Sequence, residues 1–294
     1  MAYNTKYILR YCNRDGTLLR VEIQLWNYVG EAFILVNEED YLLDDDGRFV
    51  VTNIDGEYNP DRDQNPIEGT AYPLLITYQN DIGEKGGTMR ATIAEMQFFE
   101  NNVFNIDDLQ TSDETEIRAV FYYDNELEWI GYVTPDFFNV PITANPYISL
   151  TASDRIGILK DITYPIEDFY TDARVSLMDI ISKCLALTDL ELNINTLVDF
   201  DCVQFDSPVG RDNHPFLDTY VSELRFVTDQ DTLETMSCYD VLKAICSQFN
   251  CLLTQYKGQW WIVNKEQLEL GFGEIWSFDF EGGLLSIEDF EQKK

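Results

Sequence analysis

His214 is the only histidine in the chain, so any Ser–His–Asp, Cys–His or multi-histidine metal chemistry would have to run through it. It stands in Arg211-Asp212-Asn213-His214-Pro215, a turn-like stretch with no H-x-x-x-H, H-E-x-x-H or C-x-x-C beside it. It therefore reads as a solvated loop histidine. No G-x-S-x-G elbow is present, and Gly86-Gly87 and Gly282-Gly283 lack the continuation of a phosphate-cradling loop. The cysteines at 12, 184, 202, 238, 246 and 251 form no C-x-x-C pair, and Cys184, Cys238 and Cys246 fall on helix-patterned faces. They read as buried reduced thiols.

Carboxylates are the remaining chemistry. A glycan hydrolase needs two of them at a set separation, one with a raised pKa, but 53 Asp and Glu offer no way to single out a pair. Asp61-x-Asp63-x-Asn65 begins like a calcium loop, yet Pro66 stands where an EF-hand needs glycine and Tyr72 where it needs glutamate. No catalytic residue, cofactor site or metal site is assigned, and the chain reads as a non-enzyme. Trp260-Trp261 are neighbours in a strand-like run, so their side chains point to opposite faces and at most one enters the core. The other is a candidate for an interface or, with the acidic loops and a cation, for carbohydrate recognition.

The elements that would hold these residues are mainly strands. Hydrophobic residues make up 45% and aromatics 14% of the chain, which provides a core and excludes wholesale disorder. Lys6–Tyr11, an Asn13-Arg14-Asp15-Gly16 turn and Leu18–Leu25 form a hairpin pattern. Further strands are expected at 33–36, 48–51, 74–78, 88–94, 116–123, 127–133 and 147–152, with Asp124-Asn125 as a turn. Asn59–Pro66 reads as loop, because two prolines bracket polar turn formers.

Helical periodicity enters in the C-terminal half. Leu177, Met178, Ile181, Cys184 and Leu185 mark one helix face, with Ser176 placed as N-cap and Asp179 three residues on. Ser237 and Asp240 repeat this before Leu242, Ile245 and Phe249, at a constant offset of 61 residues. Each helix leads into a strand candidate, the second a hairpin turned by Lys257-Gly258. The expected class is mainly β (α+β) with two short helix-then-strand units. The expected domains are 1–163, β-rich with an acidic insertion at 38–70, and 164–294, α+β.

With 53 acidic against 20 basic residues the formal charge is −33, a surface that repels nucleic acid and anionic lipid. No apolar run reaches the ~18 residues of a membrane span, and Met1–Lys6 lacks the pattern of a signal peptide. No direct nucleic-acid binding or membrane insertion is expected, and folding in a cytoplasm is.

Ser149–Asp161, a strand running into a turn through Asp154, Gly157 and Asp161, resembles a segment of phage tail baseplate hub proteins. Glu234–Val263 is similar to a later hub segment. The chain also resembles tail proteins of phages and prophages of gut Bacteroidetes. The matching points are Lys6-Tyr7-Ile8-Leu9, Asn145-Pro146-Tyr147, Cys238-Tyr239-Asp240-Val241-Leu242 and Gln259-Trp260-Trp261-Ile262-Val263. The acidic stretch 38–63 has no counterpart there, and no cell-wall-degrading module is attached. The resemblance implies β-barrel or split-barrel domains and a structural component of the tail tip or baseplate, of the hub or distal tail type. It implies self-association into a ring, a trimer or a hexamer, that joins tail tube to other tail proteins in a virion assembled in the host cytoplasm. A carbohydrate-binding adhesin and a carboxylate-dependent glycan hydrolase are the competing readings.

Overall fold

The computed structural model describes residues 2–12, 15–28, 35–37, 40–41, 64–80, 87–99, 104, 106–109, 111, 113–139, 147–166, 174–198, 214–229 and 232–291. It is mainly β and divides into two compact units, Met1–Ile76 with Ala94–Ala152, and Thr77–Ile93 with Ser153–Lys294. The expected boundary fell after residue 163. Here the chain passes into the second unit at Ser153, because Ile156 and Leu159 of the turn that follows are buried there.

The first unit holds β1 (Tyr3–Cys12), β2 (Leu18–Trp26), β3 (Leu35–Asn37), β4 (Asp40–Tyr41) and β5 (Asn65–Ile67). It continues through β6 (Gly69–Asn80), β7 (Met89–Phe99), β8 (Ile117–Tyr123), β9 (Glu126–Asn139) and β10 (Tyr147–Ser153), β6 and β7 each giving part of their length to the second unit. β1, β2, β8 and β9 form an antiparallel meander, turned between β8 and β9 by Asp124 and Asn125. Both turn residues have positive φ (50° and 64°), as a two-residue type I′ turn requires. β9 pairs with β10, β10 with β7, and β7 with β6. β5 precedes β6 by the single residue Glu68 and pairs in parallel with Tyr7–Leu9 of β1. The strand order thus returns to its start and closes the sheet, as in a barrel.

Alternation fills the inside of this closed sheet. Tyr7 and Leu9, Val21 and Ile23, Met96 and Phe98, Ile117 and Ala119, Trp129 and Val133, and Ile148 and Leu150 supply one buried cluster, against which the half-buried Leu74 and Ile76 of β6 pack. Asn65 and Pro66, expected in a loop, are instead strand. β5 pairs along one edge, where proline's missing N–H is tolerated. The expected strand at 48–51 and most of the acidic stretch lie outside the described residues.

The second unit contains β11 (Arg174–Ser176), α1 (Leu177–Ala186), β12 (Ile194–Leu197), α2 (Pro215–Asp218), β13 (Tyr220–Ser222), β14 (Val227–Asp229) and β15 (Glu234–Thr235). α3 (Cys238–Gln248), β16 (Cys251–Tyr256), β17 (Gln259–Asn264), α4 (Lys265–Leu270), β18 (Phe272–Phe278) and β19 (Leu284–Glu291) follow. Its sheet runs β19-β18-β12-β17-β16 and then the start of β7. β12 lies parallel to β17 and β16 parallel to β7, while the other pairs are antiparallel. α1 and α3 pack against each other through apolar faces that include Met178, Ile181, Cys184, Cys238 and Leu242. Lys257 (φ 51°) and Gly258 (φ 63°) turn β16 into β17.

Trp260 and Trp261 separate as strand neighbours must. Trp260 is wholly buried, so it belongs to the core and to no surface, whereas Trp261 is half-buried and its Nε1 donates to the Tyr256 carbonyl at 3.0 Å. Trp260→Ala should therefore cost about 3–5 kcal/mol and Trp261→Ala about 1 kcal/mol or less, measured by urea denaturation. Equal losses at both positions would contradict this assignment.

Candidate functional site

At the end of β10 the backbone must stop pairing and turn, and Asp154 fixes that turn. Its Oδ2 accepts the Thr92 backbone N–H at 2.7 Å and the Thr92 hydroxyl at 2.6 Å, and its Oδ1 accepts the Ile156 N–H at 3.1 Å. Its own N–H donates to the Thr92 carbonyl. The carboxyl is buried, and burial raises its pKa to about 6 against the pull of these donors. Arg155, in the left-handed region at φ 61°, then starts the 3-10 turn Ile156–Lys160. A Cβ at Gly157 would meet nothing within 4 Å, so no close contact demands glycine there. Asp161 is exposed and ends the turn through its N–H to the Ile158 carbonyl.

The two helix starts have matching geometry. Ser176 Oγ accepts the Asp179 N–H, and Ser237 Oγ accepts the Asp240 N–H, both at 3.1 Å. Ser237 also donates to Asp240 Oδ2 at 2.8 Å. The strands after the helices differ: β16 begins at Cys251, but its counterpart by offset, Leu190, precedes β12. These seven residues are spread over one turn and two helix ends, and the structure does not bring them together as a site.

His214 is not a solvated loop residue. It is 1% exposed and caps α2, with Pro215 next at the first helical position, where a missing N–H costs nothing. The Phe216 N–H donates to Nδ1 at 3.3 Å, so the ring proton sits on Nε2 and donates to Thr196 Oγ1 at 2.8 Å. Thr196 in turn donates to the Trp276 carbonyl. Phe216, Trp276 and Phe278 surround the ring, and burial lowers its pKa to about 4. A neutral imidazole with both nitrogens occupied is a structural link.

Cys184, Cys238, Cys246 and Cys251 are buried free thiols and Cys12 is an exposed one, while Cys202 lies outside the described residues. Burial pushes Cys251 up to about 12 and Cys246 higher, away from reactive thiolate. Among the described residues no three His, Cys, Asp or Glu side chains are placed to hold a metal ion.

Two features carried no sequence signal. On the outer face of the first unit Glu22 is buried. It accepts from Thr5 at 2.8 Å and Gln24 at 2.9 Å, and pairs with Arg20 at 3.1 Å. Arg118 grips Gln24 Oε1 through Nε and a terminal nitrogen and lies 4.2 Å over the Tyr3 ring. Removing one member would strand a buried polar partner. The second feature is the β18–β19 hairpin. Phe272 lies at the start of β18, Leu285 sits on β19 where the register shifts, and Ile287 faces Trp276 across the hairpin. These three are 62%, 55% and 44% exposed, and Leu268 and Leu270 of the preceding α4 are exposed as well. Among the described residues β19 pairs only with β18, leaving an edge.

No protein-family profile matches the chain, and no curated protein does. Among solved structures it is similar to a tail protein from Neisseria meningitidis MC58, at 11% identity and TM-score 0.39 over 65% of this chain and 45% of that one. It is also similar to the 43 kDa tail protein of prophage MuSo2 from Shewanella oneidensis, at 15% identity and TM-score 0.32 over 65% of this chain and 50% of that one. The chain thus spans half or less of the tail proteins it matches. Likeness at this level assigns neither fold nor role.

The two buried titrating groups act on stability in opposite directions. His214, held down at about 4, contributes stability that is complete above about pH 6.5 and is lost as pH falls through 4, by about 3 kcal/mol. Asp154, held up at about 6, contributes stability that is complete below about pH 3.8 and is lost as pH rises through 6, again by about 3 kcal/mol. The stability deficit of His214→Gln relative to the unsubstituted chain should narrow between pH 6.5 and 4. That of Asp154→Asn should widen, and urea midpoints across this range read both. Asp154→Ala, which leaves the Thr92 and Ile156 N–H groups unpaired, should cost about 2–4 kcal/mol at neutral pH by the same measurement.

Proposed function

We propose that the chain is a structural virion component of a phage or prophage tail, at the tail tip or baseplate. In this reading it associates with itself into a ring of three or six subunits and joins the tail tube to the distal tail proteins. The observation that carries it is the edge hairpin, where Phe272, Leu285 and Ile287 stand exposed and β19 pairs, among the described residues, only with β18. An open apolar edge is an aggregation hazard for a solitary protein and a natural joint for a subunit. The hub-like and Bacteroidetes-phage-like segments support the same reading. So does chemistry that serves structure throughout, with Asp154 and His214 both spent on internal hydrogen bonds.

Negative-stain electron microscopy of the purified chain should show closed rings of three or six. A monodisperse monomer at every concentration would overturn the proposal. Leu285→Ser with Ile287→Ser should dissolve the rings while lowering stability by less than about 1 kcal/mol, because both side chains are exposed in the isolated chain.

A further inference from the structure

A cavity of about 440 Å³ in the second unit is lined by Arg174, Tyr220, Val221, Ser222 and Arg225. β11 and β13 build its wall: Arg174 pairs with Ser222 and Ser176 with Tyr220, which places Arg174, Ser222 and Tyr220 on one face. Arg225 reaches it from the 3-10 turn Glu223–Phe226 directly after β13. Two arginines, a serine and a tyrosine therefore border one hollow.

Among the described residues Arg20 pairs with Glu22, Arg118 grips Gln24, and Arg155 pairs with Asp189 at 3.0 Å. Arg174 and Arg225 have no such partner among the described residues, and both are exposed. Glu223, two residues before Arg225, is taken by the Tyr164 hydroxyl at 2.6 Å and by Lys183 at 3.4 Å. We propose that this cavity is a carboxylate-binding site, filled in the assembled protein by Asp or Glu side chains of a second copy of the chain.

The guanidinium fork matches a carboxylate in two-point geometry, and the neighbouring hydroxyls can donate to the same oxygens. Charge selects the class of ligand. A single side-chain carboxylate brings one charge to two arginines, whereas a nucleic-acid strand would extend past the pocket over a surface of formal charge −33. With 53 acidic residues, another copy of this chain is an abundant source of carboxylates, and a pocket on one subunit facing an acidic patch on the next is the head-to-tail contact a ring requires. The source of the ligand rests on the assembly reading above, while the site itself does not.

Sedimentation velocity on the full chain, on Arg174→Gln/Arg225→Gln and on Arg174→Lys/Arg225→Lys tests the source. Calorimetric titration with a diglutamate peptide and with inorganic phosphate tests the site. The Gln pair should weaken self-association at least about tenfold, and the Lys pair less. Diglutamate should bind the unsubstituted chain, more tightly than phosphate does, and should not bind the Gln pair. An oligomer unmoved by the Gln pair overturns the source while the assembly reading stands. A chain that is monomeric throughout overturns that reading and the source together. Absent diglutamate binding, or tighter binding of phosphate, overturns the carboxylate site.

Discussion

Backbone hydrogen bonding at strand edges governs both units. In the first, one segment is used twice: Asn65–Ile67 lies along β1, and after Glu68 the same chain turns to pair with β7. That double use closes the sheet, and closure is the one arrangement that leaves a sheet no edge to protect. Every long strand can then face inward with alternate residues, which is why a single apolar cluster draws on β1, β2, β7, β8, β9 and β10. The second unit does not close. Among the described residues its sheet ends at β19, and that edge strand carries the exposed apolar Leu284, Leu285 and Ile287 alongside the exposed acids Glu288, Asp289 and Glu291.

Local signals were legible where a few adjacent residues decide the outcome. Asp124-Asn125 and Lys257-Gly258 tolerate positive φ and turn their hairpins. Ser176 and Ser237 each stand one residue ahead of an apolar stripe and cap the helix that follows. The stripes themselves gave the buried faces of α1 and α3. His214 was misjudged because its surroundings come from afar, from Thr196 on β12 and from Trp276 and Phe278 on β18. Only Pro215-Phe216 hinted at a short capped helix. Pro66 misled in the same manner, since the strand it joins is defined by a partner some sixty residues earlier. Four of the five residues lining the arginine pocket lie within 220–225, but Arg174 is brought to them only by the β11–β13 pairing.

Burying charge in so acidic a chain follows a consistent rule. Glu22 goes inside only with Arg20, Thr5 and Gln24 around it, and Asp154 only with three donors. Each is over-supplied with partners because an ion left alone in that environment would cost several kcal/mol. Arg174 and Arg225 fall outside that rule, since both are exposed.

Charge and apolar edge together constrain how copies could meet. At a formal −33, two chains repel at long range, and salt shortens that repulsion to about 8 Å at physiological ionic strength. Within that distance only local complementarity counts. An apolar hairpin supplies cohesion without direction, since burying Phe272, Leu285 and Ile287 is favourable against almost any apolar surface. A pair of arginines supplies direction, because a guanidinium rewards only a carboxylate presented at the right angle. In the proposed assembly register comes from the scarce charge: 20 basic residues stand against 53 acidic ones, so the rare group selects the contact and the common one is selected.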